Sequence, residues 1–438
     1  MCGPTAAAAR FGQIRLVCSA IGYHRRMNEL LRIARHALGS GAHHLGLSQH
    51  DINRLLEPQR TLELSLPVTI QGKARTVRAW RVQHNLARGP GKGGVRYASS
   101  VNAEEVTGLA TIMSLKNSLA GLPFGGAKGG IAVDTGTLDD DDDRIELARV
   151  FAEGLGLFIG PHTDILGPDV GTGSVDMDAI TDAWSAQQGV ENAAIATGKS
   201  MDAGGIELRA GATARGCLEA ARVARDQLDL STDARVAIQG FGAVGRELAL
   251  LLADDGHPIV AVSDSSGGLF ADDGLDVQAL AEQKADGVSL ADADSDADRI
   301  GSLDVLTCDT DIVVPAALQG VVDADVADNL KASVVLEAAN APASLDGIRR
   351  LAHLDVTVVP DLAVNSGGVV GSFHEWRTNT GKSSDDESSA EQAREDLISR
   401  VKEANQDMWD RAVSDSVDLR TAAVSLALEK ILDAENSD

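Results

Sequence analysis

The 438-residue chain is predicted to fold as two α/β domains, the first built on a mixed sheet and the second a Rossmann-like domain with a parallel, doubly wound sheet. Length is one reason, because single cores stop growing at roughly 250 to 300 residues, and a hydrophobic share of 44% is enough for two cores. The first half is another: strand-like alternation and amphipathic helices are interleaved there without a phosphate-binding fingerprint. The third reason is a change of pattern at Ala234. The apolar run RVAIQG leads into GFGAVG, the helical stretch RELALLLADDG and then the apolar run PIVAVSD, which together read as a βαβ unit.

In chain order, Arg10, Arg15, Arg25 and Arg26 precede any acidic residue, which imitates a transit peptide. We read residues 1–26 instead as sequence upstream of the native start, with Met27 opening the helix NELLRIARHAL. SQHDINRLLEP follows, a short helix with Ser48 as N-cap, Asp51 three residues on, and Pro58 at its end. LELSLPVTI and RTVRAWRVQH alternate as strands, with QGK as the hairpin turn between them. A helix over about Ala103 to Leu119 is capped by Asn102, with Glu105 at its third position, and another starts near Arg144. Beyond the βαβ unit, DIVVPAA, SVVLEAAN and VTVVPD are short apolar runs suited to a buried parallel sheet. The tail from about Ser388 is charged and helical. The acidic stretch around Ser289 to Ser295 reads as a low-complexity insertion.

The chain carries 65 acidic and 39 basic residues, a net charge of −26, and only ten of the basic residues are lysine. Such a surface repels polyanions, which excludes nucleic acid as a partner. Together with the run Asp139 to Asp143 it resembles the acid-coated proteins of salt-rich cytoplasm. No stretch of about 18 apolar residues offers a membrane span. Four scattered cysteines give no disulfide framework and no CxxC metal pair, so the expected compartment is reducing and cytoplasmic and no metal is expected.

Gly240, Gly242 and Gly245 form GxGxxG, with Phe241, Ala243 and Val244 between them. The first glycine permits the turn out of the strand, the second lets backbone approach a pyrophosphate, and the third lets the helix pack closely, while the helix N-terminus offers amide donors. Asp264, nineteen residues beyond Gly245 at the end of the next strand, is placed to accept a ribose hydroxyl. That acid favours NAD by repelling a 2′-phosphate, but Ser265 and Ser266 could hydrogen-bond one; the cofactor is NAD or NADP, with NAD favoured.

Three lysines lie close in sequence: Lys92 in GPGKGGVR, Lys116 in MSLKNSLAG and Lys128 in LPFGGAKGGI. Two of them have glycine neighbours, which surface lysines seldom need, whereas a site that presses backbone against a small anion does. Clustered ammonium groups bind carboxylates and lower one another's proton affinity, so that a partly desolvated one can act as a base.

GPGKGGVRY, LPFGGAKGGI, GPDVGTG, TGK with GG soon after, GFGAVG, VSDSSGG and NSGGVVGSFHEW occur in the order and spacing of the glutamate dehydrogenases of the Glu/Leu/Phe/Val dehydrogenase family, which the chain resembles from about Met27 to its C-terminus. The resemblance implies NAD(P)-dependent oxidative deamination of L-glutamate to 2-oxoglutarate and ammonia, and the reverse amination, by a homohexamer. It implies a substrate-binding and oligomerisation domain over 1–205, completed by C-terminal helices in 376–438, a dinucleotide domain over 206–375, and a cleft between them. Lys128 is then the lysine that activates water and Asp169 the acid/base carboxylate. Lys116 binds the α-carboxylate, and Lys92 with Ser372 the side-chain carboxylate, beside Gly93 and Gly94. Thr213, Asn340 and Asn365 join the cofactor contacts, and Gly367 and Gly368 shape the cleft wall. In the leucine and phenylalanine branches the position of Lys92 is apolar, because an unpaired ammonium in an apolar pocket is costly; lysine here points to glutamate. The chain departs from the family pattern at Thr135, at RAGATARGC and at EAANAP (337–342), whose alanines put close backbone contact with the nicotinamide in doubt and motivate the alternatives of a non-catalytic regulatory subunit in a mixed oligomer or a dehydrogenase of another amino acid.

Overall fold

The computed structural model describes residues 27–438 except Asp139, Asp355, 383–386 and Asp438, so the reading of residues 1–26 lies outside the described part. Helix α1 (Glu29–His44) is capped by Asn28 and α2 (Gln49–Leu56) by Ser48, whose Oγ accepts from the Asp51 N–H. Strands β1 (Arg60–Ile70) and β2 (Lys73–Asn85) pair antiparallel about a two-residue turn in which Gln71 and Gly72 both have positive φ, 51° and 68°. That is the type I′ geometry that matches strand twist.

The first sheet then takes β3 (Gly91–Lys92), β4 (Val95–Tyr97), β5 (Gly125–Ile131) and β6 (Asp164–Ile165), in the order β1-β2-β5-β3-β6 with β4 also on β5. Its centre is the glycine-lysine segment, antiparallel to β2 on one side and parallel to β3 and β4 on the other. One face packs on α4 (Asp141–Leu155) and α5 (Ser174–Gln188) through Val68, Ile131, Phe151 and Ile180. The other face carries α3 (Ala103–Leu119), whose cap Asn102 accepts from the Glu104 and Glu105 N–H groups. Helix α4 starts three residues before the expected Arg144, because the acidic run itself builds its first turn: Asp140 accepts from the Asp143 N–H, and carboxylates suit a helix N-terminus.

The second sheet is β10-β9-β8-β7-β11-β12-β13. Its parallel part is β7 (Val236–Gln239), β8 (Ile259–Asp264), β11 (Ile312–Pro315), β12 (Val334–Leu336) and β13 (Thr357–Val359). The antiparallel edge pair β9 (Gly267–Phe270) and β10 (Asp298–Ile300) has no counterpart in the sequence reading. Helices α6 (Ala212–Leu228), α7 (Ala243–Asp254), α8 (Val277–Ala285), α9 (Ala324–Asn329) and α10 (Leu345–Leu351) surround this sheet. The acidic stretch after α8 is not an unstructured insertion: Leu290 and Ala293 are buried, and the Arg299 guanidinium donates to both of their carbonyls.

The chain returns toward the first sheet through α11 (Asp361–Val364) and α12 (Gly367–Asn379) and ends with α13 (Glu387–Asp415) and α14 (Leu419–Glu435). Met408 and Val424 of the last two helices share one core with Leu38 of α1, Leu115 of α3 and Cys217 of α6. That continuous packing ties α3 to the helices of the second sheet.

Candidate active site

Where the two sheets face each other, a cleft of about 530 Å³ is lined by Lys92, Gly93, Gly94, Lys116, Lys128, Asp169, Thr213, Val244, Asn340, Asn365, Gly368 and Ser372. The local folding that assembles it begins with β5. Gly126 and Gly130 lie two residues either side of Lys128 and on its face of the strand. A Cβ on Gly126 would sit 2.1 Å from the Ser114 nitrogen of α3. Only glycine lets that helix lie this close, and the approach brings Lys116, half a turn beyond Ser114, to the same cleft as Lys128. Gly94 does the same for the loop after β6: a Cβ there would meet the Pro168 carbonyl at 2.5 Å and the Asp169 Cβ at 2.9 Å.

All three lysines are buried, at about 3% exposure each. Lys128 Nζ donates to Asp169 Oδ1 at 2.8 Å. Burial lowers the proton affinity of this ammonium, Arg96 and Lys116 lower it further, and Asp169 opposes them. Lys116 Nζ donates to Asn340 Oδ1 at 2.8 Å and Asn365 Oδ1 at 2.5 Å, and burial lowers its pKa too. Lys92 Nζ donates to the Leu166 carbonyl at 3.1 Å. Burial, with Arg209 and Arg81 nearby, holds it well below the ordinary lysine value. Asp169 is also buried, which by itself would disfavour its charge, yet Lys128 and Arg96 together keep the carboxyl well below the usual carboxylate range. The three lysines, with Arg96 and Arg209, outnumber the carboxylates Asp169 and Glu105 around this cavity, an excess of positive charge that suits a compact dianion, with a base and a lowered-affinity ammonium beside it.

The glycine turn opens toward the same cleft. Gly240 has φ 107°, and a Cβ on Gly245 would sit 1.8 Å from the Gly240 carbonyl oxygen. Gly242, the N-cap of α7, has nothing within 4 Å of where a Cβ would stand, and its helix has no side-chain cap, which leaves room beside the helix N-terminus. Those are the features a diphosphate needs, and the turn fits a dinucleotide. Val244 is the residue of this turn that lines the cleft. Ala243 is the first residue of the helix, and the Phe241 ring is buried in the core, which leaves only its backbone to offer.

Two matches cover most of the chain. The family profile described as Glutamate/Leucine/Phenylalanine/Valine dehydrogenase fits residues 204–438, and that of the family's dimerisation domain fits residues 58–186. The chain belongs to the Glu/Leu/Phe/Val dehydrogenase family. Glutamate dehydrogenase A2 of Halobacterium salinarum is 41% identical over 393 residues, covering 87% of this chain and 91% of that one. The glutamate dehydrogenase of Thermotoga maritima is 38% identical, covering 86% and 90%. Among solved structures, the hetero-hexameric glutamate dehydrogenase of Thermus thermophilus in its leucine-bound form superposes with a TM-score of 0.86 at 34% identity, over 94% of this chain and 98% of that one.

Within this family frame, Asp264 and Ser265 stand apart from the cleft lining. Ser265 is exposed. Asp264 ends β8 and accepts from the Ser266 N–H at 2.8 Å, the Ser266 hydroxyl, the Leu290 N–H and the Lys284 ammonium. Burial would raise its pKa, but these donors bring it down to about 2. The alanines of EAANAP do not remove the loop from the site. Ala341 takes the left-handed φ of 46°, its N–H donates to Asp361 Oδ2 at 2.9 Å, and the adjacent Asn340 reaches Lys116. Glu337 of the same loop is held by Arg420 of α14, whose Nη2 donates to both carboxylate oxygens at 2.7 Å.

The sequence reading missed Arg96, Glu105, Arg209 and Gln319, which also line the cleft. A signal existed for Arg96: it follows Lys92 and Gly94 at strand spacing and so shares their face. Gln319 follows β11 in an ordinary loop, and nothing in its neighbourhood marks it.

Proposed function

We propose that the cleft binds L-glutamate across its two carboxylates and oxidises it at Cα, giving 2-oxoglutarate and ammonia, with the reverse amination at the same groups. The observation that carries this is Lys92: a buried ammonium whose one side-chain hydrogen bond among the described residues goes to a carbonyl, in a cleft that Lys116 also lines. A dicarboxylate satisfies both; an apolar side chain would leave Lys92 unpaired at a cost of several kcal/mol.

In this reading Lys116 takes the α-carboxylate, while Lys92 and Ser372 take the side-chain carboxylate. Asp169 accepts a proton from the substrate ammonium. Gly240–Gly245, Thr213, Asn340 and Asn365 would hold a nicotinamide dinucleotide, which when bound would supply the acceptor for the Cα hydride. Lys128, neutral at that stage, draws a proton from water as the water oxygen adds to the iminium carbon. It then returns the proton to the leaving nitrogen and takes up the hydroxyl proton as the C–N bond breaks and the carbonyl of 2-oxoglutarate forms. Orientation in a cleft closed to bulk water supplies most of the acceleration. For the cofactor we favour NAD, because the Asp264 carboxylate is ionised at the ribose end; Lys284 beside it offers NADP a cation and makes the preference moderate. The proposed assembly is a homohexamer.

Initial rates in molar KCl with glutamate, leucine and phenylalanine, each against NAD and NADP, test this. Turnover with glutamate alone is expected. Equal turnover of leucine would overturn the role of Lys92, and a folded oligomer inactive on every pair would favour a non-catalytic subunit.

A further inference from the structure

Asp169 is held at both of its oxygens. Lys128 occupies Oδ1 at 2.8 Å, and Arg96 Nε occupies Oδ2 at 2.7 Å. The Arg96 guanidinium does not end there: its Nη1 donates to Glu105 Oε1 at 3.0 Å and to Gln319 Oε1 at 3.2 Å. One side chain from β4 of the first sheet therefore joins the site carboxylate, a buried acid on α3 and a neutral amide on the loop after β11 of the second sheet. The exposure of the paired side chains is 8% for Arg96, 5% for Glu105 and 9% for Asp169, so these contacts are made largely out of water, where charge-assisted hydrogen bonds are strong and directional.

Resting on the glutamate reading above, we propose that Arg96 is a positioning residue of the reaction: it fixes the second oxygen of Asp169 and tempers the chemistry of the Asp169–Lys128 pair, with Glu105 setting how much of its charge the pair feels and Gln319 setting its orientation. The charged groups facing Asp169 are Lys128 from β5 and Arg96 from β4, with Glu105 and Lys116 of α3 behind them; from the second sheet the contact is Gln319, which carries no charge. Two consequences share one sign. A neutral residue at 96 removes a cation from beside Asp169, which then holds a proton more readily, and from beside Lys128, which then gives one up less readily. Activity that needs ionised Asp169 and neutral Lys128 must shift to higher pH on both counts.

The test is the pH profile of kcat/KM for glutamate oxidation in three variants of the full chain. In Arg96→Gln the acid limb is expected to move up by on the order of one pH unit, so that the rate on the limb falls about tenfold and recovers, at least in part, at higher pH. Glu105→Gln leaves Arg96 unopposed, and its limb is expected to move down. Gln319→Leu removes no charge, so kcat is expected to fall with the limb unmoved. A loss in Arg96→Gln that is equal at every pH, or a limb in the wild-type place, overturns the proposal. Should Arg96→Gln fail to fold, the direction of the Glu105→Gln shift decides: an unmoved or upward limb overturns it. Wild-type protein inactive on glutamate would instead sink the function reading, before any variant is compared.

Discussion

At the scale of single residues, the site keeps charges where folding alone would not. Lys92 is buried, makes no ion pair among the described residues, and lies near two arginines. A lysine with a folded-state pKa lowered below 10.5 binds fewer protons folded than unfolded, so its cost is fully present below that lowered pKa and fades as pH rises toward the unfolded value. Lys92→Met removes that cost while keeping most of the volume. The expected outcome is a gain of roughly 1–3 kcal/mol at pH 7, visible as a higher Tm that converges on wild type above about pH 10. The same variant is expected to lose at least about 100-fold in kcat/KM for glutamate, in line with stranding a buried carboxylate. A lower Tm would mean that the Lys92 hydrogen bond to Leu166 outweighs its desolvation.

At the scale of elements, what the sequence made legible was whatever rests on local chemistry. The Asn102 and Ser48 caps, the Gln71–Gly72 turn and the glycine turn into α7 all depend on neighbours within a few residues. What stayed hidden depends on distant partners. GGAKGGI has a single β-branched residue, Ile131, and no aromatic one, and its glycines argue against a strand interior. Yet it is the middle of the first sheet, because Ser114 of α3 and Val101 need the space its glycines leave. The lysines were legible as chemistry and Arg96 carried a spacing signal, whereas Gln319 became a functional candidate only when the loop after β11 was brought to the cleft. A paired substitution separates these roles. Gly126→Ala forces a methyl against the Ser114 backbone, so a destabilisation of about 1–3 kcal/mol and at least a tenfold fall in kcat are expected as Lys116 and Lys128 move apart. Gly242→Ala meets open space and is expected to keep the wild-type Tm while raising the KM of the dinucleotide. Thermal melts with steady-state kinetics read both; a Gly126→Ala protein of unchanged stability would show that α3 and β5 have slack between them.

At the scale of the whole molecule, the chain carries a net charge of −26, and among the described residues the buried cations and carboxylates nearly balance, which leaves the acidic excess to exposed side chains. The ion pairs deepest in the structure, Arg81 with Asp164 and Lys199 with Glu375, have no exposed surface and are beyond the reach of dissolved ions. Salt therefore acts on the excess surface carboxylates, whose mutual repulsion opposes the compact state. Two physical effects of KCl can be told apart by shape. Screening works through the Debye length, about 10 Å at 0.1 M and 3 Å at 1 M, and is nearly complete by the latter. A solvent effect on apolar burial goes on growing with concentration and depends on the salt chosen. Given so large an excess of like charge, Tm is expected to climb steeply from about 0.1 to 1 M KCl and then flatten, with NaCl at equal ionic strength giving nearly the same curve. A linear climb through 3 M that differs between salts would assign the requirement to burial and hydration rather than repulsion. A Tm indifferent to salt would show that the acidic coat does not set the stability of this fold.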